Sequence, residues 1–597
     1  MLRILFALSI LTAFIQTNAQ SPVRYSLELG NIHHHELRIN VMFSDLTGET
    51  LEIRMPNTSP GRYAAHNFVK NVYEEVATDG AGNPLVLKRI TPFSWEVPVT
   101  GGTVNFTYTL YGNHADGTYM GVDAKKLHMN MPATFVYAPA LQDREIQLII
   151  PADNPKWDVA TQLIKKNDST FSAPDYYYFY DSPTLVGEIS WRRWEVSGQT
   201  IEIAMMHEGT EAELDGYTEW VKAVVLKEQE IYGALPKFDF GRYTFLMAYN
   251  PWVDGDGMEH RNSTVCTGTG DIKGFGNYYI STVAHEFFHA WNIERIRPAS
   301  LEPFDFDVPN LSEALWFGEG FTSYFDKLVI TRAKILEPEQ YIKGLVSGLN
   351  YVLNSPGRSF RNPIEMSQNA PFTDAGTAND ETNYANNFIS YYSYGAILGL
   401  GLDLTLRTKY DKTLDAYMKA VWLAYGQPEI PYTMTDLQNV LGELTKDKEF
   451  AAAFFRDQIY GSDLPDFEAL FAEFGIKMSL QNPGSAYFGN PKLDDDGYVQ
   501  STILRGTAFY EAGIEKGDQI LSMNGREVST TSDLNRVINS LEIGKEYPVT
   551  YKQFGEEKTA TFTTVQDPRI TLSYLPNNQL KKAVVKRRNR WLQLTDE

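Results

Sequence analysis

Residues 283–292 read VAHEFFHAWN, in which His285 and His289 stand four positions apart and Glu286 directly follows the first histidine. Residues i and i+4 lie on one face of an α-helix, so the two imidazoles can bind the same ion. The H-E-x-x-H pattern is typical of a catalytic zinc site, with the glutamate beside the reactive water. The alternative is a helix core that happens to contain two histidines. Because catalytic zinc needs a third protein ligand, finding that ligand decides between the two interpretations.

The best candidate for the third ligand is Glu319, in LWFGEGFTSYF (315–325), a segment with helical spacing that can cross the first helix. Glycines at 318 and 320 are poor helix formers, so their presence beside Glu319 indicates close packing at this point. The pattern therefore favours a metal site between two helices. The competing carboxylates are Glu313 and, in the loop-like segment FDFDVP, Asp305 and Asp307.

Composition describes a globular chain of several domains. Its 597 residues exceed what one core can organise and predict about three or four domains. A formal net charge of −22 repels phosphate backbones, which argues against nucleic-acid binding. Cys266 is the only cysteine, so no intrachain disulfide can form and the stability of each domain must come from its core.

The first nineteen residues, MLRILFALSILTAFIQTNA, have the features of a cleavable signal peptide. An arginine precedes an apolar run over 4–15, and the small residues Thr17 and Ala19 suit cleavage before Gln20. The run is shorter than the roughly twenty apolar residues that a membrane-spanning helix needs, so stable membrane insertion is not expected. We therefore expect an exported protein, in the periplasm or the medium.

The patterns along the rest of the chain divide it into four segments. Over 20–205 apolar residues alternate, as in TVNFTYTLYG, which predicts an antiparallel β domain. Over 206–478 helical spacing dominates, with the strand-like stretch RYTFLMAY at 242–249, which predicts a mixed domain with a helical extension. Strands, an Asn-Gly turn and one helix return over 479–568. The remainder, 569–597, contains KKAVVKRRNR and predicts a basic tail, either solvated or a helix face.

HEFFHAWNIERIRP (285–298), followed by LWFGEGFTSYF, resembles the glycyl aminopeptidase family of zinc metallopeptidases, family sixty-one. The resemblance extends to RMPNTSPGRY (54–63), to GMEHRNST (257–264) and to the segment from 479 to 568. It implies a multidomain fold related to aminopeptidase N. That fold has an N-terminal antiparallel β domain, a thermolysin-like α+β zinc peptidase domain with a helical extension, and a C-terminal PDZ-like domain.

The resemblance also implies residue roles at the reacting centre. His285, His289 and Glu319 are the implied zinc ligands, and Glu286 is the implied general base. SYYSYGA (390–396) is similar to the family pattern S-Y-x-K-G-A, which places Tyr392 on the catalytic tyrosine. Tyr394 stands where that pattern has lysine, and the adjacent Tyr391 is an alternative oxyanion donor.

A second segment carries the implied substrate contacts. GMEH (257–260) is similar to the G-x-M-E-N segment of the wider clan, with histidine in place of asparagine. The similarity implies that Gly257, Met258 and Glu259 bind substrate, with Glu259 on the free α-amine. In the PDZ-like domain, GSAYFGN (484–490) is the candidate carboxylate-binding loop, although it departs from the usual glycine-leucine-glycine-phenylalanine form.

These observations favour an exported aminopeptidase with one Zn²⁺ per chain, acting on peptides that have a free N-terminus. The preference for small N-terminal residues, Gly or Ala, is what the family implies. Two alternatives stay open. The first is a zinc endopeptidase of the same clan, and the second is a PDZ-based peptide-binding scaffold with a vestigial metal site.

Overall fold

The computed structural model describes residues 20–152, 154–373, 380 and 382–594. The signal-peptide prediction over 1–19 lies outside the described residues. A β-rich N-terminal domain, a central domain with a mixed sheet and many helices, and a small C-terminal β domain follow one another along the chain. This layout confirms the predicted fold class.

The N-terminal domain is built on an eight-stranded sheet of order β13-β14-β11-β1-β2-β8-β4-β5, with sheets of four (β12-β15-β10-β9) and three strands (β3-β7-β6) beside it. Alternating residues of TVNFTYTLYG point into its core, where Val104, Phe106 and Tyr108 are fully buried. Within this domain, all strand pairs among the described residues are antiparallel except β1 with β11. The strands are β1 (Val23–Glu28), β2 (Glu36–Phe43), β3 (Thr50–Arg54), β4 (Val72–Asp79), β5 (Pro84–Leu85), β6 (Lys88–Thr91), β7 (Ser94–Pro98), β8 (Val104–Tyr111), β9 (Gly121–Val122), β10 (Lys126–Met129), β11 (Ile146–Ile149), β12 (Asp158–Thr161), β13 (Ile164–Lys165), β14 (Thr170–Ala173) and β15 (Thr184–Gly187), with short helices α1 (Met131–Thr134) and α2 (Tyr176–Tyr180).

The central domain contains a five-stranded sheet of order β16-β17-β18-β20-β19. Its strands are β16 (Ser190–Val196), β17 (Gln199–His207), β18 (Arg242–Tyr249), β19 (Asp256–His260) and β20 (Ser263–Gly268). β19 is an edge strand and runs antiparallel to β20.

This sheet corrects the predicted domain boundary at residue 205. β17 pairs in parallel with β18 along its length, and β16 pairs with β17, so both strands belong to the central sheet. The N-terminal domain therefore ends after β15. Alternation of apolar residues marks a strand but does not say which sheet that strand joins.

Helices make up most of the rest of the central domain. Asp271 caps the first turn of the metal-motif helix by accepting a hydrogen bond from Gly274 N. None of the described helices combines the length and apolar character needed to cross a bilayer. The helices are α3 (Glu211–Tyr232), α4 (Ile272–Phe288), α5 (Leu315–Arg332), α6 (Pro338–Asn354), α7 (Pro363–Gln368), α8 (Ala370–Thr373), α9 (Tyr384–Asn387), α10 (Tyr391–Thr405), α11 (Leu414–Val421), α12 (Met434–Thr445), α13 (Lys448–Phe454) and α14 (Phe467–Ala472).

Glycines allow α5 and α10 to cross at very short range. A methyl group at Gly320 would lie 2.8 Å from the carbonyl carbon of Gly395 on α10, and one at Gly318 would lie 2.9 Å from a methyl of Ile293, which follows α4. The close packing that the sequence indicates beside Glu319 is therefore present. It brings the start of α10 next to the first turns of α5.

The C-terminal domain is inserted between two strands that pair with each other. Strands β21 (Ile476–Leu480) and β26 (Ile570–Tyr574) form an antiparallel pair, and the inserted unit has its own sheet of order β23-β22-β24-β25. The remaining elements are α15 (Ala508–Glu511), β22 (Gln519–Met523), β23 (Arg526–Glu527), α16 (Thr531–Ile538), β24 (Glu546–Gln553), β25 (Glu556–Thr563) and α17 (Lys582–Leu592).

Of the two states predicted for the basic segment KKAVVKRRNR, a solvated tail and a helix face, the structure has the helix, so the described part of 569–597 is not a free tail. β26 pairs with β21, and α17 packs on the helices of the central domain with Trp591 and Leu592 fully buried. The Trp591 indole donates to Tyr324 Oη at 3.0 Å, and the buried Arg588 donates to the carbonyl of Leu575 at 2.7 Å. The basic segment forms an amphipathic helix, in which a few large apolar residues are buried.

Candidate metal centre

His285, His289 and Glu319 come together where α4 meets α5. Oε2 of Glu319 lies 3.5 Å from Nε2 of His285 and 3.2 Å from Nε2 of His289. His289 directly follows the last residue of α4, and its backbone is still helical, so the four-residue spacing still places both rings on one face. His289 and Glu319 are almost fully buried.

These separations fit a tetrahedral zinc ion. Ligand atoms about 2.0–2.1 Å from zinc at tetrahedral angles lie about 3.3 Å from one another. The two nitrogen–oxygen distances of 3.2 and 3.5 Å bracket that value. Two imidazoles and one carboxylate are also the donor set of catalytic zinc sites with an open fourth position. The residues present therefore fit the metal that the sequence motif implies.

Hydrogen bonds around the centre orient the ligands. Nδ1 of His289 lies 2.7 Å from the carbonyl oxygen of Asn292, so the proton sits on Nδ1 and the lone pair of Nε2 faces the metal position. The Asn292 side chain donates to the carbonyls of Phe317 and Gly318 at 3.1 and 2.9 Å, which ties the end of α4 to α5. Sequence reasoning missed Asn292, although it lies within the quoted stretch.

The charges at the centre attract a cation. Burial raises the pKa of Glu319, but the charge of His289 and the hydrogen bonds from both histidines outweigh burial and hold that pKa well below its usual value. Burial lowers the pKa of His289, but the charges of Glu319 and Glu259 outweigh burial and raise it to about 9. Carboxylates that raise the proton affinity of an imidazole also raise its affinity for a divalent metal.

Glu286 lies on α4 beside the edge strand. A methyl group on Gly257 would lie 2.8 Å from both the carboxyl carbon of Glu286 and a methyl of Thr282, so only glycine fits at this approach. Burial raises the pKa of Glu286 to about 7, although the charges of His285 and His289 oppose the shift. A carboxyl group with a pKa near 7 can both accept and return a proton at neutral pH.

Glu259 faces the same space from β19. Its carboxylate, that of Glu286 and the imidazole of His289 offer ligand atoms within 4.8 Å of one another. Glu259 is almost fully buried, and burial raises its pKa. Gly61 of the N-terminal domain closes the far side, because a methyl group there would lie 2.9 Å from both carboxylate oxygens of Glu259.

The other two predicted substrate contacts differ in kind. Gly257 offers a close approach to Glu286, as described above. The Met258 side chain instead lies in an apolar cluster with Leu185, Leu246 and Val265. A methyl group on Gly61 would also meet the Met258 sulfur. That Met258 binds substrate stays a prediction.

The two candidate tyrosines are stacked on each other at the start of α10, with ring centroids 4.8 Å apart. The Tyr392 ring lies 6.0 Å from the His285 ring and is half-buried. Tyr391 is fully buried and packs edge-to-face on Tyr63 at 6.1 Å. Tyr392 is thus the tyrosine with access to the space in front of the histidines.

The carboxylates that compete with Glu319 lie elsewhere. Asp307 pairs with Arg54 and accepts from the Tyr137 hydroxyl at 3.0 Å, which links its loop to the N-terminal domain. Asp305 accepts from the backbone of Asp307 at 2.8 Å. Glu313 is in neither cluster of metal-binding side chains found among the described residues.

Tyr63 is a contact that the sequence alone did not indicate. Its hydroxyl donates a 2.6 Å hydrogen bond to Oε1 of Glu319 across 256 positions of sequence. Tyr63 and Gly61 both belong to the stretch RMPNTSPGRY, in which the only local signal is the turn at Pro60 and Gly61. A hydrogen bond between two domains leaves no trace in periodicity or spacing.

Family models match three parts of the chain. The Peptidase M61 N-terminal domain matches residues 24–188, the M61 glycyl aminopeptidase domain matches 278–398, and a PDZ domain matches 473–564. The second range includes both histidines, Glu319 and the two tyrosines. Glu259 lies between the first two ranges. In a search of curated proteins, no sequence matched significantly.

A solved structure shares the fold over nearly the whole chain. An aminopeptidase N family protein from Idiomarina loihiensis superposes with a TM-score of 0.81 at 22% identity, over 96% of this chain and 100% of that chain. An M1 zinc metallopeptidase from Deinococcus radiodurans superposes with a TM-score of 0.43 at 12% identity, over 75% of this chain and 95% of that chain. The second value is too low to support an inference.

Proposed function

We propose that this chain, a zinc aminopeptidase that belongs to the M61 glycyl aminopeptidase family, is exported and removes small residues, Gly or Ala, from the N-terminus of peptides. The observation that carries the proposal is the buried carboxylate of Glu259, which shares one space with Glu286 and His289. A carboxylate in that place can form a charge-assisted bond with the α-ammonium group of a peptide.

Two cavities near the centre differ in size. A cavity lined by Glu259, Gly61 and Tyr63 has a volume of about 10 Å³. That is at the lower limit for a single water molecule. A second cavity, lined by Tyr392 and Asp326, has a volume of about 390 Å³. The small space beside Glu259 supports a short first side chain.

Four residues of the chain perform the proposed reaction. The chemistry supplied by a bound zinc ion is that of a Lewis acid, which lowers the pKa of water and polarises a carbonyl. Glu286 accepts the proton of the attacking water and returns it to the leaving amine. Tyr392 donates a hydrogen bond to the carbonyl oxygen as negative charge develops there. Glu259 and the backbone of Gly257 hold the substrate in register.

One zinc ion per chain is part of the proposal. The described residues offer two clusters of metal-binding side chains, and both include His289. One imidazole nitrogen binds one ion, so the two clusters cannot be filled together. The cluster of His285, His289 and Glu319 has the donor set typical of catalytic zinc, which leaves Glu286 and Glu259 free to act on substrate.

A panel of peptides tests the proposal. Peptides that begin with Gly, Ala, Leu or Phe are each compared in free and N-acetylated form, with product sizes determined by mass spectrometry. We expect cleavage of the first bond only, fastest for Gly and Ala, and abolished by acetylation. Cleavage of acetylated peptides at internal bonds would instead support the endopeptidase alternative. N-terminal sequencing of the mature protein tests export, with Gln20 as the expected first residue.

A further inference from the structure

The two oxygens of the Glu319 carboxylate have different partners. Oε2 faces Nε2 of both histidines at 3.2 and 3.5 Å. Oε1 accepts the 2.6 Å hydrogen bond from the hydroxyl of Tyr63. Tyr63 is 4% exposed and Glu319 is 2% exposed, so water cannot readily replace this bond. The carboxylate is therefore divided between a metal-facing oxygen and an oxygen held by the N-terminal domain.

A carboxylate can bind a cation through one oxygen or through both. If Glu319 bound through both, it would occupy a position that a catalytic zinc ion needs for water or for substrate. A hydrogen bond at Oε1 opposes the rotation that would bring Oε1 to the metal. Partners in this position around metal ligands fix ligand orientation and tune the affinity for the metal.

We propose that Tyr63 is a positioning residue that holds Glu319 as a one-oxygen zinc ligand, so that the N-terminal domain completes the metal centre. The inference rests on the proposed zinc aminopeptidase function and adds to it a residue from another domain. It assigns a role to the stretch RMPNTSPGRY that neither the turn at Pro60 nor the zinc motif predicts.

The loop that carries Tyr63 is held firmly. Arg62 pairs with Asp256 at the start of β19 and donates to the Thr118 hydroxyl at 2.7 Å. The Tyr63 ring packs edge-to-face on Tyr391 at 6.1 Å. A donor held in this way does not lose much freedom when it orients a ligand.

The test is the substitution Tyr63→Phe, which removes the donor and keeps the ring. Zinc affinity is measured by competition with a chromophoric chelator in the absence of peptide. We expect the Kd for zinc to rise about 10- to 100-fold. Tyr25→Phe is the matched control, because it removes a buried 2.9 Å hydrogen bond to the Val136 carbonyl in the same domain and far from the metal. It should lower thermal stability and leave the zinc Kd unchanged.

A second measurement needs no variant. In the zinc-loaded wild-type protein, a crystal structure should place only Oε2 of Glu319 on the metal, with Oε1 still within hydrogen-bonding distance of Tyr63. Coordination through both oxygens, or a zinc Kd for folded Tyr63→Phe equal to that of Tyr25→Phe, overturns the inference. A wild-type protein that bound no zinc would instead refute the proposed function itself.

Discussion

The two outer domains contact the central domain in different ways. The N-terminal domain holds the edge strand β19 at both ends. Arg62 pairs with Asp256 at its start, and Asp181 lies 2.8 Å from Nδ1 of His260 at its end. His260 stands where the wider clan has asparagine, and this bond gives the histidine a structural partner. Together with the hydrogen bond from Tyr63 to Glu319, these contacts join the N-terminal domain to the candidate metal centre.

The PDZ domain is attached through contacts that are partly exposed, among them the Arg505 guanidinium over the Phe360 ring at 5.2 Å. The Asn386 side chain donates to the carbonyl of Ile503 at 2.9 Å and accepts from the backbone of Arg505 at 2.8 Å.

Within the PDZ domain, the Thr531 hydroxyl bonds to both the N–H and the carbonyl of Leu493 at 2.7 and 2.9 Å. A peptide that added as a strand at Leu493 would have to displace the Thr531 hydroxyl from these two hydrogen bonds.

The N-terminal domain therefore contacts the metal centre through buried groups, whereas the PDZ domain contacts the central domain through partly exposed groups. Buried contacts to a charged group are costly to break, because the group left behind keeps its desolvation penalty. Exposed amide contacts exchange with water at little cost. Changes at the N-terminal interface should therefore alter catalysis, and changes at the PDZ interface should not.

Glu286→Gln sets the scale for this comparison, because it acts inside the central domain alone. Without a group that accepts the proton of water, kcat should fall about 10³-fold or more. Zinc content should stay at one ion per chain, since Glu286 is not a ligand in the proposed site. Metal analysis and hydrolysis of a Gly-peptide check both parts. If the variant lost zinc, Glu286 would itself be a ligand, and the metal site would be the cluster of Glu259, Glu286 and His289.

Tyr392→Phe should have the next largest effect. Loss of a positioned donor to a developing oxyanion typically costs about 100-fold in kcat, with little change in KM. Tyr391→Phe is the matched control, since Tyr391 is its stacked neighbour and is fully buried against the N-terminal domain. Steady-state kinetics on the same peptide compare them. A larger loss in Tyr391→Phe would place the donor on the residue that touches Tyr63 and would strengthen the link to that domain.

The sequence predicts the parts of this site that follow chain geometry. The spacing of His285 and His289 places them on one helix face, and the glycines around Glu319 indicate the close helix crossing that brings α10 near. Tyr63 could not be predicted from its own surroundings, because its partner lies 256 positions away. The role of Trp591 was hidden for a related reason, since two buried apolar residues among many charges give only a weak helical pattern.

Gly61→Ala tests the N-terminal interface directly. The backbone of Gly61 has φ of +69°, and a methyl group there would lie 2.9 Å from both oxygens of Glu259. We expect about a tenfold loss in kcat/KM for peptides with a free amine, from displacement of Glu259. Gly82→Ala is the control, with φ of +85° and no atom within 4 Å of the added methyl group. Gly82→Ala also places alanine at a positive φ. Equal losses in both variants would therefore mean that backbone strain, and not contact with Glu259, causes the effect.

The smallest effect is expected from removal of the PDZ domain. Leu480 pairs with Ile570, and Gln481 N donates to the Arg569 carbonyl at 2.8 Å, so the two ends of the insertion already form the base of a hairpin. Replacing residues 482–568 with Asn-Gly, a two-residue turn suited to that geometry, should leave β21, β26 and α17 in place. Because the domain supplies no residue to the metal centre, kcat/KM for a Gly-peptide should change less than about threefold, which is under about 0.7 kcal/mol.

The accompanying variant Asn386→Ala breaks the amide contact and keeps the domain. A large loss in the deletion together with full activity in Asn386→Ala would mean that the domain acts on the substrate itself. Losses in both would mean that the contact at Asn386, five residues before Tyr391, controls the placement of α10. The PDZ domain would then influence the metal centre as the N-terminal domain does.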